Sequence, residues 1–168
     1  MRLITLPTVW TVLLDALAWG IIQTLISWMA MHFPERWIHP NRGFYQTFKF
    51  EEDGRIYQNL FRVKNWKGRL PYGGSLFQDE FTMRTLGAVS EAHIHRWLKE
   101  TCRSELSHWL AILPAGLFFL WNEWWVGMIM IVYALAFNLP LIITQRFNRP
   151  RLRKMLAIFL RRTRQPNA

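Results

Sequence analysis

TCRSELSHW, residues 101–109, is where a charged segment gives way to an apolar one. Thr101, Glu105 and His108 are spaced i, i+4, i+7, so a helix puts them on one face. The apolar run that follows, 106–121, has His108 inside it. At about 1.5 Å per residue it reaches roughly 24 Å, short of the roughly 30 Å hydrocarbon core of a bilayer. A helix that crosses must draw in residues before Leu106, which leaves Glu105 and His108 near a membrane face. Ionisable groups there are expensive, and their default reading is functional.

Two further runs are long enough to cross, 8–33 and 124–144. The first carries Asp15, either near one end of the crossing or buried in it. A signal peptide is the competing reading of this run. Against it, Arg2 alone stands in the leading region, the apolar stretch is long, and no A-x-A-like site precedes Pro34. Only Asn122 and Glu123 separate 106–121 from 124–144, which predicts a tight helical hairpin.

Basic residues set the orientation. After Thr144 come Arg146, Arg149, Arg151, Arg153, Lys154, Arg161, Arg162 and Arg164, with no acid. The stretch 32–103 carries twelve Lys and Arg against eight acids, whereas the hairpin turn carries only Glu123. The tail and the middle stretch therefore belong in the cytoplasm, the turn and the N-terminus outside. The expected fold is mainly α: a small polytopic integral membrane protein, a single membrane domain over 1–168. It has about three transmembrane helices, at about 8–33, 104–121 and 124–144, a cytoplasmic basic and aromatic segment at 34–103, and a basic tail at 145–168. The tail holds an interfacial C-terminal helix over 150–162, with Leu152, Met155, Leu156, Phe159 and Leu160 on one side. The expected location is the cell membrane, multi-pass, with a cytoplasmic C-terminus.

Composition narrows the partners. The chain is 51% hydrophobic, with ten Trp and twelve Phe, too much apolar area for a small soluble domain to hide. Its net charge of +10 fits a lipid membrane or acidic ligands rather than nucleic acid. Cys102 stands alone, so an internal disulfide and a cysteine metal cluster are both ruled out. Within 34–103, Leu70-Pro71-Tyr72-Gly73-Gly74 marks a turn and Asp53-Gly54 a weaker one. Residues 58–66 read as an interfacial amphipathic helix with Leu60, Phe61 and Val63 towards lipid, and a hairpin across 44–63 is the alternative. Ser90 is an N-cap candidate for a helix running into the second crossing.

Glu105 and His108, one turn apart, suit a carboxylate that orients an imidazole, and an oriented neutral His is the usual base for a hydroxyl. Thr101 is placed to hydrogen-bond the same acid. The plain alternative is an interfacial polar pair that satisfies itself. HxxxxD, GxSxG and HExxH are absent, as are Walker and Rossmann glycine loops, and no metal set is evident. Residues 145–151 place Arg146, Arg149 and Arg151 beside Asn148, forked donors suited to phosphate or carboxylate. Ordinary positive-inside anchoring is the plainer reading of them. Lys64, Lys67 and Arg69 around Trp66 form a second basic patch. Pro140 should kink the third crossing, and Asn138 there needs a partner, expected on the second.

The blocks Arg62-Val63-Lys64-Asn65-Trp66-Lys67, 100–109 (ETCRSELSHW), Ile112-Leu113-Pro114, Asn138-Leu139-Pro140 and 145–152 (QRFNRPRL) resemble the glycosyl-4,4′-diaponeurosporenoate acyltransferases of staphyloxanthin-type carotenoid biosynthesis. The resemblance covers about 34–153. It implies a membrane acyltransferase that esterifies a fatty acyl group onto the sugar hydroxyl of a glycosylated carotenoid acid or similar glycolipid. The acyl donor would be an acyl-CoA or acyl-carrier protein thioester, with no further cofactor. On this reading His108 is the base and Glu105 its orienting acid. Thr101, Lys67, Trp66, Asn138, Arg146, Asn148, Arg149 and Arg151 bind substrate, the arginines holding donor phosphates. The rival class is a non-enzymatic membrane scaffold or lipid-binding subunit, in which the same residues only anchor and pack.

Overall fold

Between Thr8 and Met31 every residue favours or tolerates a helix, and Asp15 alone is charged. Such a segment is apolar on all sides and has no face suited to water. It forms α1, Thr8–Met31. The computed structural model describes residues 4, 6–70 and 90–164. Among them the regular elements are all helical: α1, α2 (Arg55–Phe61), α3 (Val63–Trp66), α4 (Glu91–Ile112) and α5 (Trp124–Arg164), joined by short 3-10 helices. Among the described residues two helices are long and apolar enough to cross a membrane, Thr8–Met31 and Trp124–Arg161. The chain forms two compact units, one of 1–39 with 102–143, the other of 40–101 with 144–168.

The first unit is tied together at Asp15. Its side chain is buried, and Oδ1 accepts hydrogen bonds from Trp121 Nε1 and Asn122 Nδ2, both 2.7 Å. One turn further on, Trp19 stacks on Phe118 at 4.8 Å, meets Tyr133 edge-on at 5.5 Å and donates from Nε1 to Met130 Sδ at 3.2 Å. These pairs set the early part of α1 beside the 121–123 turn, antiparallel to the segment before it and parallel to the start of α5. That segment departs from the expected continuous helix. The α-helix stops at Ile112, and Leu113–Leu120 is a 3-10 helix. Pro114, at the start of this 3-10 helix, lacks the N–H that would bond back to Leu110, so one α-helical bond is missing where the α pattern gives way. The outer faces stay apolar and exposed, with Trp10, Leu17 and Ile21 on α1 and Met128, Val132 and Phe137 on α5.

The second unit is made of short pieces pinned to helix flanks. Glu52, Asp53 and Gly54 are left-handed (φ 47°, 57° and 83°), which realises the Asp53-Gly54 turn. A Cβ at Gly54 would lie 3.3 Å from the Phe147 carbonyl oxygen, so glycine lets this turn lie against α5. The helix expected over 58–66 is broken at Arg62 (φ 49°), which separates α2 from α3. Leu60 and Phe61 face outward, but Val63 is fully buried, contrary to its expected lipid-facing place. The alternative hairpin across 44–63 is not formed; this stretch is 3-10 and α-helical. The expected turn at 71–74 lies outside the described residues.

Ser90 does cap α4, with Oγ accepting from the His93 N–H at 3.3 Å. The expected tail helix is not a separate element: α5 runs to Arg164 through both Pro140 and Pro150. Its stripe is also not free for the interface. Leu152 is buried with Ile94, Trp97 and Leu98 of α4, and Met155, Leu156 and Phe159 pack against that cluster. Burial against a neighbouring helix removes the same apolar area from water that an interface would.

Candidate functional site

In the first unit α4 supplies Glu105 and His108, and α5 supplies Asn138. Asn138 is buried, and its Nδ2 donates to the Ala134 carbonyl, one turn back, at 2.9 Å. That bond orients the amide, so Oδ1 is the end that meets His108 Nδ1, at 3.0 Å. An amide oxygen only accepts, so Nδ1 carries the proton and Nε2 keeps its lone pair. Among the described residues nothing bonds Nε2, and the imidazole is half-buried. A neutral, fixed His with an open Nε2 is the form a general base needs.

Glu105 is not the group that holds this ring. It is fully buried, whereas the imidazole is held from Asn138. The orienting partner expected from the sequence is therefore replaced by Asn138, the residue that the sequence left in want of a partner. Cys102 is also fully buried and carries no disulfide.

The second unit gathers the basic residues, which fall into two kinds. Arg149 is 2% exposed. Its Nε donates to Thr101 Oγ1 (3.1 Å), Nη2 to the Thr101 carbonyl (3.1 Å) and Nη1 to the Tyr45 carbonyl (3.0 Å). Thr101 gives its own proton to the Leu98 carbonyl at 2.7 Å, so its hydroxyl serves Arg149 and not Glu105. Arg146 donates to Glu51 Oε1 and to the Phe44 carbonyl, each at 2.9 Å. Arg153 donates to Thr47 Oγ1 at 2.8 Å and to the carbonyls of Pro40 and Tyr45. These three arginines clamp segment 40–51, whose short 3-10 turns use few of its backbone carbonyls; the guanidinium groups bond those of Pro40, Phe44 and Tyr45.

Glu51 is the centre of that clamp. It is 2% exposed and accepts from Arg146, from the Phe48 N–H at 2.6 Å and from the Tyr57 hydroxyl. Burial and the Glu51 hydrogen bond push the Tyr57 hydroxyl above its ordinary range. Glu51, Tyr45 and Arg153 were not expected as site residues from the sequence. Their only sequence signal is an acid three residues after Phe48 in an aromatic stretch, which names no partner.

Lys67 and Arg151 are of the other kind. Lys67 Nζ donates to Asn148 Oδ1 at 2.9 Å and lies 5.0 Å from the centre of the Phe147 ring. The Arg151 guanidinium lies 3.4 Å from that centre and donates to the Phe147 carbonyl. Burial, then Arg151, then Lys64 hold the Lys67 ammonium below its usual range. Trp66 Nε1 donates to the Phe61 carbonyl at 2.7 Å, bracing the break between α2 and α3. Thus the structure brings His108 to Asn138, Thr101 to Arg149, and Lys67 to Asn148.

The chain matches the glycosyl-4,4′-diaponeurosporenoate acyltransferase family over residues 41–158. A protein of that name from Staphylococcus aureus strain N315 is 35% identical over 144 residues, which covers 86% of this chain and 87% of the relative. The protein of the same name from strain USA300 is 35% identical over 146 residues, with 86% and 87% covered. No solved structure matches the chain.

Proposed function

Because the chain belongs to the glycosyl-4,4′-diaponeurosporenoate acyltransferase family and is an acyltransferase, we propose that it moves a fatty acyl group from a thioester donor to a sugar hydroxyl of a glycosylated carotenoid acid, with His108 as general base. The donor is an acyl-CoA or acyl-carrier protein. The observation that carries the base assignment is the relay from the Ala134 carbonyl through Asn138 to His108 Nδ1, which leaves Nε2 open.

His108 Nε2 takes the hydroxyl proton as the sugar oxygen attacks the thioester carbonyl. The C–S bond then breaks, and the imidazolium returns the proton to the departing thiolate. Asn138 holds the ring in the competent tautomer and is a positioning residue. Attack is direct, since Cys102 is fully buried and no other thiol exists in the chain.

We place this chemistry at a membrane face. The exposed apolar flanks of α1 and α5 are the surface that lipid would cover. A second crossing also becomes long enough. With 3-10 helix over Leu113–Leu120, residues 104–120 extend about 30 Å, against about 26 Å for an all-α stretch. Three crossings put the 121–123 turn and the start of α1 on one side, and the Asp15 bonds to Trp121 and Asn122 hold those two places together. The basic tail then faces the cytoplasm.

The test of the function is reconstitution: purified protein in nanodiscs, a long-chain acyl thioester and a glycosylated carotenoid acid. The expected product carries one more acyl ester on the sugar. Turnover with other glycolipids and none with this acceptor would overturn the acceptor assignment.

A further inference from the structure

Burying a positive charge costs free energy unless a carboxylate or several acceptors compensate it. Arg146 and Arg149 meet that demand, with Glu51 and with protein oxygens. Lys67 and Arg151 do not. Both are half-buried and both lie against the ring of Phe147, itself fully buried. Among the described residues no carboxylate pairs with either cation. Among the same residues Lys67 has one acceptor, the Asn148 amide oxygen, and Arg151 has one, the carbonyl of Phe147. The Asn148 amide is thereby oriented, and its Nδ2 has no hydrogen-bond partner among the described residues. Gly54 lies beside the guanidinium, a Cβ there falling 3.4 Å from Nη1.

An ammonium, a planar guanidinium fork and an amide N–H₂, gathered with unused donors and excess positive charge, match the tetrahedral oxygens of a phosphate ester. We propose that Lys67, Arg151 and Asn148 Nδ2 form a phosphate-binding site, and that the phosphate is the one on the arm of the acyl donor. The assignment of donor rests on the acyl-transfer reading above; the site itself does not. The basic residues of 145–154 thus divide in two. Arg146, Arg149 and Arg153 hold the unit together, and Arg151 with Lys67 holds the ligand. The depressed Lys67 ammonium agrees with this, since a bound dianion supplies a counter-charge that no described residue supplies.

The experiment is a binding titration that needs no turnover. Full-length protein in phosphatidylcholine nanodiscs is titrated with coenzyme A by calorimetry, with inorganic pyrophosphate as competitor. Coenzyme A should bind, pyrophosphate should displace it, and Lys67→Met and Arg151→Ala should each weaken binding by about tenfold or more. Lys67→Arg should retain most of it. Lys154→Ala, which removes only the exposed Lys154–Asp53 bridge, should change nothing. Melting temperatures of all variants exclude misfolding as the cause. In a second arm the wild type and Lys67→Met are offered vesicles with and without phosphatidylglycerol. If coenzyme A is ignored but Lys67 is needed for preference for phosphatidylglycerol, the site stands and its phosphate is a lipid headgroup. If neither probe depends on Lys67 and Arg151, the site is overturned. Because no step uses His108, failure here is distinct from failure of the base assignment.

Discussion

Arg149 closes its guanidinium on both oxygens of a single residue: Nε bonds the Thr101 hydroxyl and Nη2 the Thr101 carbonyl, each at 3.1 Å. A further bond, to the Tyr45 carbonyl, fixes a piece of chain that has only a single 3-10 turn of its own. A lysine has one compact ammonium and cannot make this fork. Arg149→Lys should therefore destabilise the protein by about 3 kcal/mol, from two lost bonds to a charged group at about 1.5–3 kcal/mol each, partly recovered by the ammonium. Melting of the purified protein in one detergent measures it. A variant that melts with the wild type but needs much more donor would show Arg149 to be a ligand residue instead.

The Glu51 network makes a second stability prediction. Glu51→Gln leaves Arg146 buried without its carboxylate and should cost about 3–5 kcal/mol. Pairing it with Arg146→Met should recover much of that loss, because an apolar replacement of both partners removes the unpaired charge. If the double variant is as unstable as the single one, the pair matters through shape and not through charge.

Tyr57 gives this network a pH signature. Its hydroxyl titrates higher in the folded protein than the ordinary value near 10. For a raised folded value the stabilising contribution is complete below about pH 10 and is lost as pH rises through the folded value. Wild-type stability should thus fall more steeply above about pH 10 than that of Tyr57→Phe. Parallel melting curves at alkaline pH would show that Tyr57 does not titrate with unfolding.

The orientation is tested by a chemical label. On a Cys102→Ser background, a cysteine at Glu123 should react with an impermeant thiol reagent on intact cells, and one at Ala168 should not. Asp15→Leu removes the acceptor shared by Trp121 and Asn122. It should cost about 2–3 kcal/mol without changing the labelling pattern. Labelling of Ala168 from outside would reverse the topology.

Some of this was legible in the residues and some was not. The first and last apolar helices, the turn at 122–123, the Ser90 cap and the Asp53-Gly54 turn follow from local chemistry, and each is where that chemistry puts it. Asn138 was legible as a problem, a polar group in an apolar run, and His108 answers it. What failed was assigning partners within one helix. Glu105 and Thr101 share a face with His108, but face-sharing says nothing of what other segments bring, and Asn138, Tyr45 and Arg149 took the places given to neighbours in sequence. The arginines were legible as a class and not by individual role. Whether an arginine clamps a loop or awaits a ligand depends on which carbonyls the loop 40–51 leaves open. That is settled only when the loop is folded. The stripe on the tail misled for the same reason, since an apolar face reads alike whether it meets lipid or Ile94 and Trp97.

The last prediction concerns His108. If Nε2 is the base and Asn138 only fixes the tautomer, the two variants must differ in kind. His108→Ala should lower kcat by about 10²–10⁴-fold, the range of a positioned base, with donor binding unchanged. Asn138→Ala keeps the imidazole but frees the ring to turn and to exchange tautomers. It should cost less, about tenfold, and Asn138→Asp should restore part of the loss, because a carboxylate accepts the same Nδ1–H. That substitution should also shift the acidic limb of the pH–rate profile upward, since an anion beside the ring stabilises the imidazolium, which is the inactive form before proton transfer. A residue with a merely structural role would move stability but not that limb. Glu105→Gln, which leaves the Asn138–His108 bond in place, should cost less than either, and the His108→Ala/Asn138→Ala double variant should be little worse than His108→Ala alone, as for groups that act as a unit. The measurement is initial rates in nanodiscs across pH, with melting recorded for each variant. Retention of more than about a tenth of wild-type kcat by a folded His108→Ala protein, well outside the range for a base, would remove His108 from the chemistry and leave it as the partner that a buried Asn138 requires.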